Sequence, residues 1–597
     1  MRDEQAVHLL IHNYLELDQD EEIIMNKQTL CSTMAIVVTI AISVTTTSMA
    51  APPSFNWQTV VNNGDFIPTA SCNPITPTSP PCRKFNSYNQ PSVNEKNLVV
   101  FRARSKGGSG GEPVHGVYTR DMNIAGPIVK VLDRDTLVPA PNTENSKFIE
   151  PPSFPRIDMV SSMVATRGNH PPVFGYTLPD GTDTKVGTTG IYTNPFGSLI
   201  TGVSKLGAAL GYSFFQVPEY PGVAFDVFPG APAVTQGSTI VFKGNYTVDS
   251  VSRTGVYYRN LEIHNGDSGF EPIVLIANNT DTLIPGTNIK FGSTAPPSAA
   301  GNQVIFAGFD NEENPTAGGI YLASLKPYAL NKQPKLKTLV SIGSKVPSED
   351  ENIKFNKLGE GVSFDGRFVA YWGAWGTKTK TVRLYCADEG NKDLKAYCMS
   401  EASGSLQDSL GVWYQEKEVP KNQGVFVYDL KTNKNARIAR TGKGSSDFSD
   451  FMYWNFSGKA PGVGEGDVDG ELARWRSASF LAVSSKVVDH EDNGYQIAFK
   501  ARTGVTDDSH VYVNPVDGIY LKKGTKNNPL MTIVKTGMDG TVFDLQATDP
   551  LTQSILPVTE MGIERDSFRG NSIAINMSMG TEEAGWAGIY LLHIPTD

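Results

Sequence analysis

Short runs in which apolar and polar residues alternate recur along this chain, and each is followed by a second apolar run that begins at a glycine. Residues 302–308, NQVIFAG, show the alternation, and residues 318–323, GGIYLA, form the second run. Alternation with a period of two is typical of a half-buried β-strand. The chain is therefore predicted to consist of short strands joined by turns.

The second run opens with a glycine, an apolar residue and an aromatic residue, and this triplet occurs seven times. The copies begin at Gly116, Gly190, Gly255, Gly319, Gly424, Gly518 and Gly588. The strand before the triplet keeps register with it, because 13 residues separate Phe242 from Gly255, Phe306 from Gly319, and Ile575 from Gly588. An identical spacing in three places indicates one repeated structural unit.

A third apolar run follows most triplets, and a Lys-Phe pair follows that run. The pairs are Lys84-Phe85, Lys147-Phe148, Lys290-Phe291 and Lys354-Phe355. Repeats of 64 to 105 residues, counted triplet to triplet and lacking a helical period, predict one small antiparallel sheet each. Such a sheet cannot bury both faces alone, so the repeats predict an all-β, seven-bladed β-propeller. A β-solenoid has much shorter rungs, and a string of sandwiches needs about 100 residues and a separate core per domain.

The two ends of the repeat array are incomplete in complementary ways. The last triplet, at Gly588, has no third run after it, while residues 57–61 form a run with no preceding strands of their own. Thr59, Gly64 and Pro68 also keep the offsets of the corresponding residues of a third run, Thr338, Gly343 and Pro347. We therefore expect residues 57–61 to pair with residues 588–592, so that neither sheet edge stays open.

The repeat, written N-x-x-V-x-F-x-A followed by G-I-Y and later by an apolar residue, Pro and Phe, resembles a repeat of secreted bacterial β-propeller proteins that are mostly uncharacterised. The resemblance covers most of residues 57–594. It implies the fold and export. That group has no shared catalytic residues, so the resemblance assigns none to this chain.

The composition and net charge of the chain bear on whether it binds nucleic acid. The chain has 597 residues, 52 of them basic and 62 acidic, which gives a net charge of −10. No phosphate-neutralising surface is indicated, so nucleic acid is not an expected partner.

The N-terminal region is predicted to be an export signal. Residues 1–24 are acidic, whereas a start at Met25 would put Lys27 before the apolar core at residues 34–44 and a small-x-small cleavage site before Ala51. The core is too short for a membrane span. We expect residues 1–50 to be removed, residues 51–597 to form one propeller without a membrane span, and the protein to be secreted or periplasmic.

Four cysteines remain in the predicted mature chain, an even number that suits an oxidising compartment. The simplest of the three pairings joins Cys72 to Cys82 and Cys386 to Cys398. A zinc site is not indicated because the chain has no CxxC motif and few histidines.

Motif searches do not predict a catalytic site. Residues 266–269 read GDSG, with His264 close by, but they lie where the repeat requires a hairpin turn. The chain has no P-loop or HExxH motif. No catalytic residue is therefore predicted.

Two stretches in the longest repeats are candidates for binding. Asp467, Asp469 and Glu471 alternate beside glycines, which matches part of a Ca²⁺ loop, although a solvated turn explains them as well. The full EF-hand spacing is missing, so the solvated turn is the favoured interpretation, calcium is the alternative, and no other cofactor is predicted. Trp372, Trp375, Trp454 and Trp475 are predicted either to fill the repeat core or to form an aromatic platform for a ligand.

The two longest repeats contain insertions around residues 386–423 and 445–490, which are predicted to protrude on one face and to contribute to a ligand site. Two functions remain open. One is an exported binding or scaffold propeller for an extracellular glycan or protein, which the missing motifs favour. The other is an extracytoplasmic hydrolase or lyase with carboxylates at the channel mouth.

Overall fold

Antiparallel sheets follow one another along the chain, one for each copy of the sequence repeat. The computed structural model describes residues 55–595 except 69–81, 108–112, 143–144, 178–182, 263–270, 326–331, 387–391, 443–447, 452, 460–470, 479, 489–490, 525–527 and 582–584. Strand β1 (Asn56–Asn62) comes first and belongs to the last sheet. The helices of the described residues are α1 (Lys205–Ala209), α2 (Lys392–Cys398) and 3₁₀ turns at Ser213–Phe215, Glu401–Ser403 and Gly540–Val542.

The first four sheets are blades 1 to 4. Blade 1 contains β2 (Phe85–Tyr88), β3 (Ser92–Val93), β4 (Leu98–Ser105), β5 (His115–Asp121) and β6 (Val129–Asp133). Blade 2 contains β7 (Arg156–Ile157), β8 (Val164–Thr177), β9 (Asp183–Thr193) and β10 (Ile200–Ser204). Blade 3 contains β11 (Ala233–Thr235), β12 (Thr239–Val248), β13 (Val251–Asn260) and β14 (Val274–Asn278). Blade 4 contains β15 (Ser293–Thr294), β16 (Ser298–Ala300), β17 (Gln303–Phe309), β18 (Gly318–Ser324) and β19 (Leu336–Ser341).

Three blades and one small extra sheet complete the chain. Blade 5 contains β20 (Phe355–Phe364), β21 (Phe368–Tyr385), β22 (Leu406–Gln407), β23 (Trp413–Asp429) and β24 (Lys434–Arg440). The extra sheet is β25 (Tyr453–Lys459) paired with β26 (Glu471–Ala478). Blade 6 contains β27 (Leu481–Val488), β28 (Glu491–Thr506), β29 (Tyr512–Lys523) and β30 (Met531–Lys535). Blade 7 contains β31 (Val558–Gly562), β32 (Phe568–Arg569), β33 (Ser572–Gly580), β34 (Gly585–His593) and β1.

The innermost strands of neighbouring blades contact one another around a ring. The contacts run through β3, β7, β11, β16, β20, β27 and β32, and β32 in turn contacts β3. The chain is thus a closed seven-bladed β-propeller, as the sequence predicts.

The ring closes by pairing the two ends of the array. Strand β1 lies antiparallel to β34, with Trp57 opposite Leu592 and Val61 opposite Ile589. Val60 and Val61 are fully buried between blades 7 and 1. The predicted pairing of residues 57–61 with 588–592 is therefore confirmed.

In six of the seven triplets the glycine makes room for the aromatic ring two residues later, whereas a Cβ atom on Gly319 would lie 2.0 Å from the Val340 carbonyl oxygen of the neighbouring strand. A Cβ atom on Gly116 would lie 2.3 Å from the Tyr118 hydroxyl, and one on Gly588 would lie 2.7 Å from the Tyr590 hydroxyl. The ring folds back over the glycine because residues i and i+2 of a strand share one face. The ring occupies the space that a side chain at the first position of the triplet would need, so that position must be glycine.

The phenylalanine of each Lys-Phe pair packs edge-on against the triplet aromatic of the same blade. Ring centroids are 5.0 Å apart for Phe85 and Tyr118, 4.7 Å for Phe148 and Tyr192, 5.2 Å for Phe291 and Tyr321, and 4.9 Å for Phe355 and Phe426. Blades 3 and 6 make the same contact with Phe225 and Phe448, although no lysine precedes either. The element repeated in blades 1 to 6 is thus an edge-to-face aromatic pair, which stabilises the core of each of these blades.

The strand order defines two faces of the ring. In each blade the strands are counted from the centre of the ring outwards. We call "turn face" the side that carries the turns between the first and second strands, as at residues 94–97 and 365–367, and between the third and fourth strands. The "loop face" carries the connections between second and third strands and between blades. Because blade 5 is extended at residues 376–421 and the β25–β26 sheet lies between blades 5 and 6, both predicted insertions emerge on the loop face.

Candidate functional site

Two of the four candidate tryptophans are core residues. Trp372 is 1% exposed, and its Nε1 donates a hydrogen bond to Gln423 Oε1 at 3.0 Å. Trp375 is 3% exposed, with the Arg440 guanidinium 5.2 Å from its ring. Their burial favours the interpretation as repeat core over a ligand platform. Trp454 and Trp475 lie on β25 and β26, but their side chains lie outside the described part of the structure.

The cysteine and calcium predictions fall partly outside the described residues. Cys386 and Cys398 form a disulfide, as predicted, which fits a non-cytoplasmic location. Cys72, the predicted partner of Cys82, is outside the described residues, as are Asp467 and Asp469. Glu471 begins β26, and its side chain is not described. No group of metal-ligating side chains occurs among the residues that the structure does describe.

His264 and residues 266–269 also lie outside the described residues, so their assignment to a turn between β13 and β14 stays a prediction. In the described ranges, no helix has the length and apolar character needed to cross a membrane.

A charged bulge that the sequence analysis did not anticipate occupies the centre of the ring. Residues 563–567 separate β31 from β32 in the innermost strand of blade 7. From this bulge Glu564 and Asp566 both bind Arg156 of blade 2, and Arg156 NH1 lies 2.6 Å from Asp566 Oδ2. Asp566 also pairs with Arg569. Burial would raise the pKa of Asp566, but Arg156 and Arg569 outweigh it and lower this pKa.

The central bulge also binds blades 1, 4 and 5. The Asp566 carbonyl accepts a hydrogen bond from Val93 N of blade 1 at 3.0 Å. Arg565 NH1 donates to the carbonyl of Pro296 in blade 4 at 2.8 Å, and its own carbonyl accepts from Ser363 Oγ in blade 5 at 2.6 Å. These contacts show that the bulge joins blades 1, 2, 4 and 5 to blade 7 at the centre of the ring.

Three carboxylates lie at the turn-face mouth of the channel. Asp158 is buried and accepts hydrogen bonds from the amides of Val160 and Ser161 at 2.9 and 2.7 Å. Asp365 is buried too, and its Oδ2 accepts from Ser485 Oγ at 2.6 Å.

The third of these carboxylates, Glu95, is solvent-accessible. Its partial desolvation raises its pKa, the nearby Arg569 charge opposes this, and the Asp365 and Asp158 charges add to it. A carboxyl whose pKa is raised beside other carboxylates is a candidate proton donor.

On the loop face, blade 5 extends into a two-stranded arm, which we define as residues 376–421. Its strands stay paired as far as Tyr385 and Tyr414, and the Cys386–Cys398 disulfide lies beyond that pair. Arg383 N donates to the His510 carbonyl of blade 6 at 2.8 Å. The arm is thus held against the neighbouring blade.

A second set of contacts fixes the base of the arm. Lys380 Nζ donates to the Ser449 carbonyl at 2.9 Å and lies 5.2 Å from the centre of the Tyr512 ring. Burial lowers the pKa of Lys380 despite the charge of Asp450. The Tyr512 hydroxyl donates to Asp450 Oδ2 at 2.9 Å. Blades 5 and 6 therefore present the arm in a defined direction.

Exposed large apolar side chains are concentrated on the loop face. Among the described residues, eighteen of twenty-three belong to loop-face connections or to the strand ends beside them. They are Phe66, Leu137, Val173, Leu210, Tyr212, Val251, Leu283, Ile289, Tyr385, Leu406, Leu410, Val412, Val505, Val513, Val542, Leu545, Leu551 and Ile555. Four of them, Tyr385, Leu406, Leu410 and Val412, belong to the arm, which makes the arm the candidate interaction surface on this face.

Comparisons with known proteins show likeness to solved structures only. No family model matches the chain, and no curated protein matches it. The chain is similar to an oligogalacturonate lyase in complex with manganese, with 9% identity, a TM-score of 0.33, and coverage of 86% of this chain and 98% of that one. It is also similar to an acylaminoacyl peptidase from Pyrococcus horikoshii, with 14% identity, a TM-score of 0.20, and coverage of 61% of this chain and 45% of that one. A third similar structure is fructan 1-exohydrolase IIa from Cichorium intybus, with 8% identity, a TM-score of 0.19, and coverage of 92% of this chain and 98% of that one.

Proposed function

We propose that the protein is an exported binding propeller whose loop face takes an extracellular protein ligand. The observation that carries this proposal is the gathering of eighteen exposed large apolar side chains on the face that also bears the arm. Export is supported by the signal-like residues 25–50 and by the disulfide in the arm.

The kind of apolar residue favours a protein ligand over a glycan. Fifteen of the eighteen side chains are Leu, Ile or Val, and the other three are Phe66, Tyr212 and Tyr385. Aliphatic side chains gain stability by being buried against another apolar surface, whereas a sugar ring is usually held against a flat aromatic face. Within the arm, Leu406, Leu410 and Val412 are exposed by 56%, 84% and 42%, which makes the arm the first place to test.

The test compares polar substitutions on the two faces. The variant L406S/L410S/V412S removes apolar surface from the arm, and I124S/F196S removes it from the turn face, where Ile124 and Phe196 are exposed. Both would be screened by surface plasmon resonance against an array of extracellular proteins and one of glycans. We expect protein ligands that bind the parent to lose at least about tenfold in affinity with the arm variant, because each large apolar side chain that is buried on binding contributes about 1.5–3 kcal/mol. Equal binding by the arm variant, or ligands found only on the glycan array, would refute the proposal.

A hydrolase or lyase is the second candidate, and the raised pKa of Glu95 beside Asp158 and Asp365 favours it. We would assay the parent protein on polysaccharide and peptide libraries and compare E95Q with K96Q, a neighbouring exposed substitution. A turnover that E95Q abolishes and K96Q retains would establish the enzyme. No turnover on any library would leave the binding function.

A further inference from the structure

The outermost strand of every blade carries a β-bulge. Each pairing between a third and a fourth strand shifts register, namely β5–β6, β9–β10, β13–β14, β18–β19, β23–β24, β29–β30 and β34–β1. In blade 7, Thr59 lies opposite Tyr590 and Val61 opposite Ile589, so Val60 is the extra residue. A bulge twists an edge strand and disrupts its ladder, which protects the blade edges against pairing with another chain.

The arm is a regular two-stranded ladder instead. Consecutive pairs join β21 to β23, from Thr379 opposite Pro420 to Tyr385 opposite Tyr414, without a register shift. Blade 6 covers the β21 edge of this ladder, because Arg383 N donates to the His510 carbonyl. The β23 edge of the arm therefore differs from the blade edges, since it lacks a bulge.

The hydrogen bond of Arg383 shows which backbone groups point out of the ladder. In an antiparallel ladder, pairs that exchange hydrogen bonds alternate with pairs that do not. Arg383 lies opposite Glu416 and donates to His510 at 2.8 Å instead, so this pair exchanges no hydrogen bonds. The N–H and C=O of Glu416 therefore point away from β21, and the same alternation applies to Glu418, two residues further along β23.

Other parts of the chain bond to the β23 edge on either side of these two glutamates. Strand β22 pairs with β23 at Trp413 and Tyr414, and Thr441 Oγ1 donates to the Lys421 carbonyl at 2.8 Å. Between these contacts, no strand within the described ranges pairs with β23 from this side. The Glu416 and Glu418 side chains are both exposed. We call residues 415–419 the open edge.

We propose that the open edge binds an extended segment of the protein ligand as an added β-strand. This inference rests on the function proposed above, because the arm that bears the open edge also bears the exposed Leu406, Leu410 and Val412. Only another backbone offers donors and acceptors at the spacing of the outward N–H and C=O groups. In such complexes the main-chain hydrogen bonds provide affinity, and side chains at alternate positions provide specificity.

The charges of the open edge disfavour a second copy of this chain as the added strand. Glu416 and Glu418 lie on one face of β23, because side chains two residues apart share a face. Two copies that pair antiparallel about Lys417 would place Glu416 of each copy opposite Glu418 of the other. Like charges directly opposite each other are destabilising. The favoured occupant is therefore a segment of another protein that is uncharged or basic at the facing positions.

The first test uses a phage-displayed library of linear peptides, selected on the whole, disulfide-intact propeller. Selected peptides are synthesised, and their affinities for the parent, E418P and E418A are measured by fluorescence anisotropy. Proline removes the outward N–H and places its ring at the edge, whereas alanine removes only the carboxylate. We expect E418P to weaken binding by about tenfold or more and E418A by less than about threefold, since an exposed charge contributes little.

A second test measures amide hydrogen exchange in the parent protein with and without a selected peptide. The amides of Glu416 and Glu418 point out of the ladder, so an added strand should protect them from exchange. Contacts made by side chains alone would not protect these amides. This measurement needs no variant, so it decides the question if E418P lowers the thermal unfolding midpoint.

The remaining outcomes overturn strand addition. Equal weakening by E418P and E418A would show recognition of the carboxylate, and failure to select any peptide or to protect either amide would show that the edge is not a site. Dimerisation that E418P abolishes would make a second copy the occupant. Extracellular proteins that L406S/L410S/V412S weakens and E418P does not would leave the loop-face function in place and refute strand addition alone. Peptides that E418P weakens, with no extracellular protein ligand found, would refute the loop-face function alone.

Discussion

Arg156 and Asp566 are 410 residues apart in the chain and form a buried ion pair at the centre of the ring, with NH1 2.6 Å from Oδ2. Arg156 is 1% exposed and Asp566 5%. Removing one partner of such a buried ion pair is strongly destabilising, because the remaining charge has no water to solvate it. The pair therefore joins blades 2 and 7 through the channel, independently of the hydrogen bonds within each blade.

The first prediction concerns this ion pair. Arg156→Met would leave Glu564 and Asp566 without their shared cation, so we expect a loss of about 3–5 kcal/mol in the free energy of unfolding, measured by urea denaturation. Arg253→Met is the control, because Arg253 is partly exposed on β13 and makes no salt bridge with any described residue. The control should change stability by less than about 0.5 kcal/mol. Similar values for the two variants would contradict a central role for the pair.

The second prediction concerns ring closure by β1. Deleting residues 51–68 removes β1 and two fully buried side chains, Val60 and Val61, which alone contribute about 3 kcal/mol or more. The deletion also opens the edge of β34, so we expect a lower unfolding midpoint for the whole propeller in calorimetry. Deleting residues 51–54, which precede β1, is the control. A propeller without residues 51–68 that melts like this control would show that β1 does not close the ring.

The periodic features of the fold could be predicted from the sequence, because the same physical requirement recurs in every blade. The triplet at Gly588 and the unpaired run at residues 57–61 were sufficient to predict the seven blades and their closure. The Lys-Phe pattern was less general. Phe225 and Phe448 occupy the same position as Phe85 without a preceding lysine, because the aromatic contact matters and the lysine does not.

The centre of the ring could not be predicted, because it depends on contacts between blades. Glu564, Arg565, Asp566 and Arg569 fall within six residues, a composition typical of a solvated loop, and nothing local shows that Arg156 will meet them. The face carrying each exposed side chain follows from strand order, which the sequence predicts. The burial of Trp372 and Trp375 depends instead on packing between blades, and the sequence does not predict that packing.

The third prediction concerns the triplet glycine of blade 7. Gly588→Ala would place a Cβ atom 2.6 Å from the Val61 carbonyl oxygen and 2.7 Å from the Tyr590 hydroxyl, so strand β1 or the ring must shift. We expect a loss of about 1–3 kcal/mol in the free energy of unfolding. Gly126→Ala is the control, because its nearest neighbours lie 3.4 Å or more away. Equal stability of the two variants would mean that the triplet glycine is not required for space.

The fourth prediction concerns the acid stability of blade 6, where Arg502 on β28 lies opposite Asp517 on β29. Burial by itself would raise the pKa of Asp517. The overall pKa is nevertheless lowered, because Arg502 donates hydrogen bonds to this carboxylate, with Nε 2.6 Å from Oδ1, and because Arg502 and Lys500 are positively charged. A carboxylate whose pKa is lower in the folded state than in the unfolded state, where it is about 3.9, stabilises the fold above that pH. The contribution is lost as the pH falls below about 3.9 through the pKa of the folded state.

Asp517→Asn tests this sign directly. At pH 7 we expect the variant to be less stable than the parent by about 1–3 kcal/mol, because Arg502 and Lys500 lose their partly buried counter-charge. Other carboxylates titrate in both proteins, so the informative quantity is the difference in unfolding free energy between parent and variant in urea at pH 7, 5 and 3. That difference should stay constant from pH 7 to 5 and shrink towards pH 3. A difference that does not change with pH would show that the charge of Asp517 contributes nothing to stability and that the variant acts by altered packing alone.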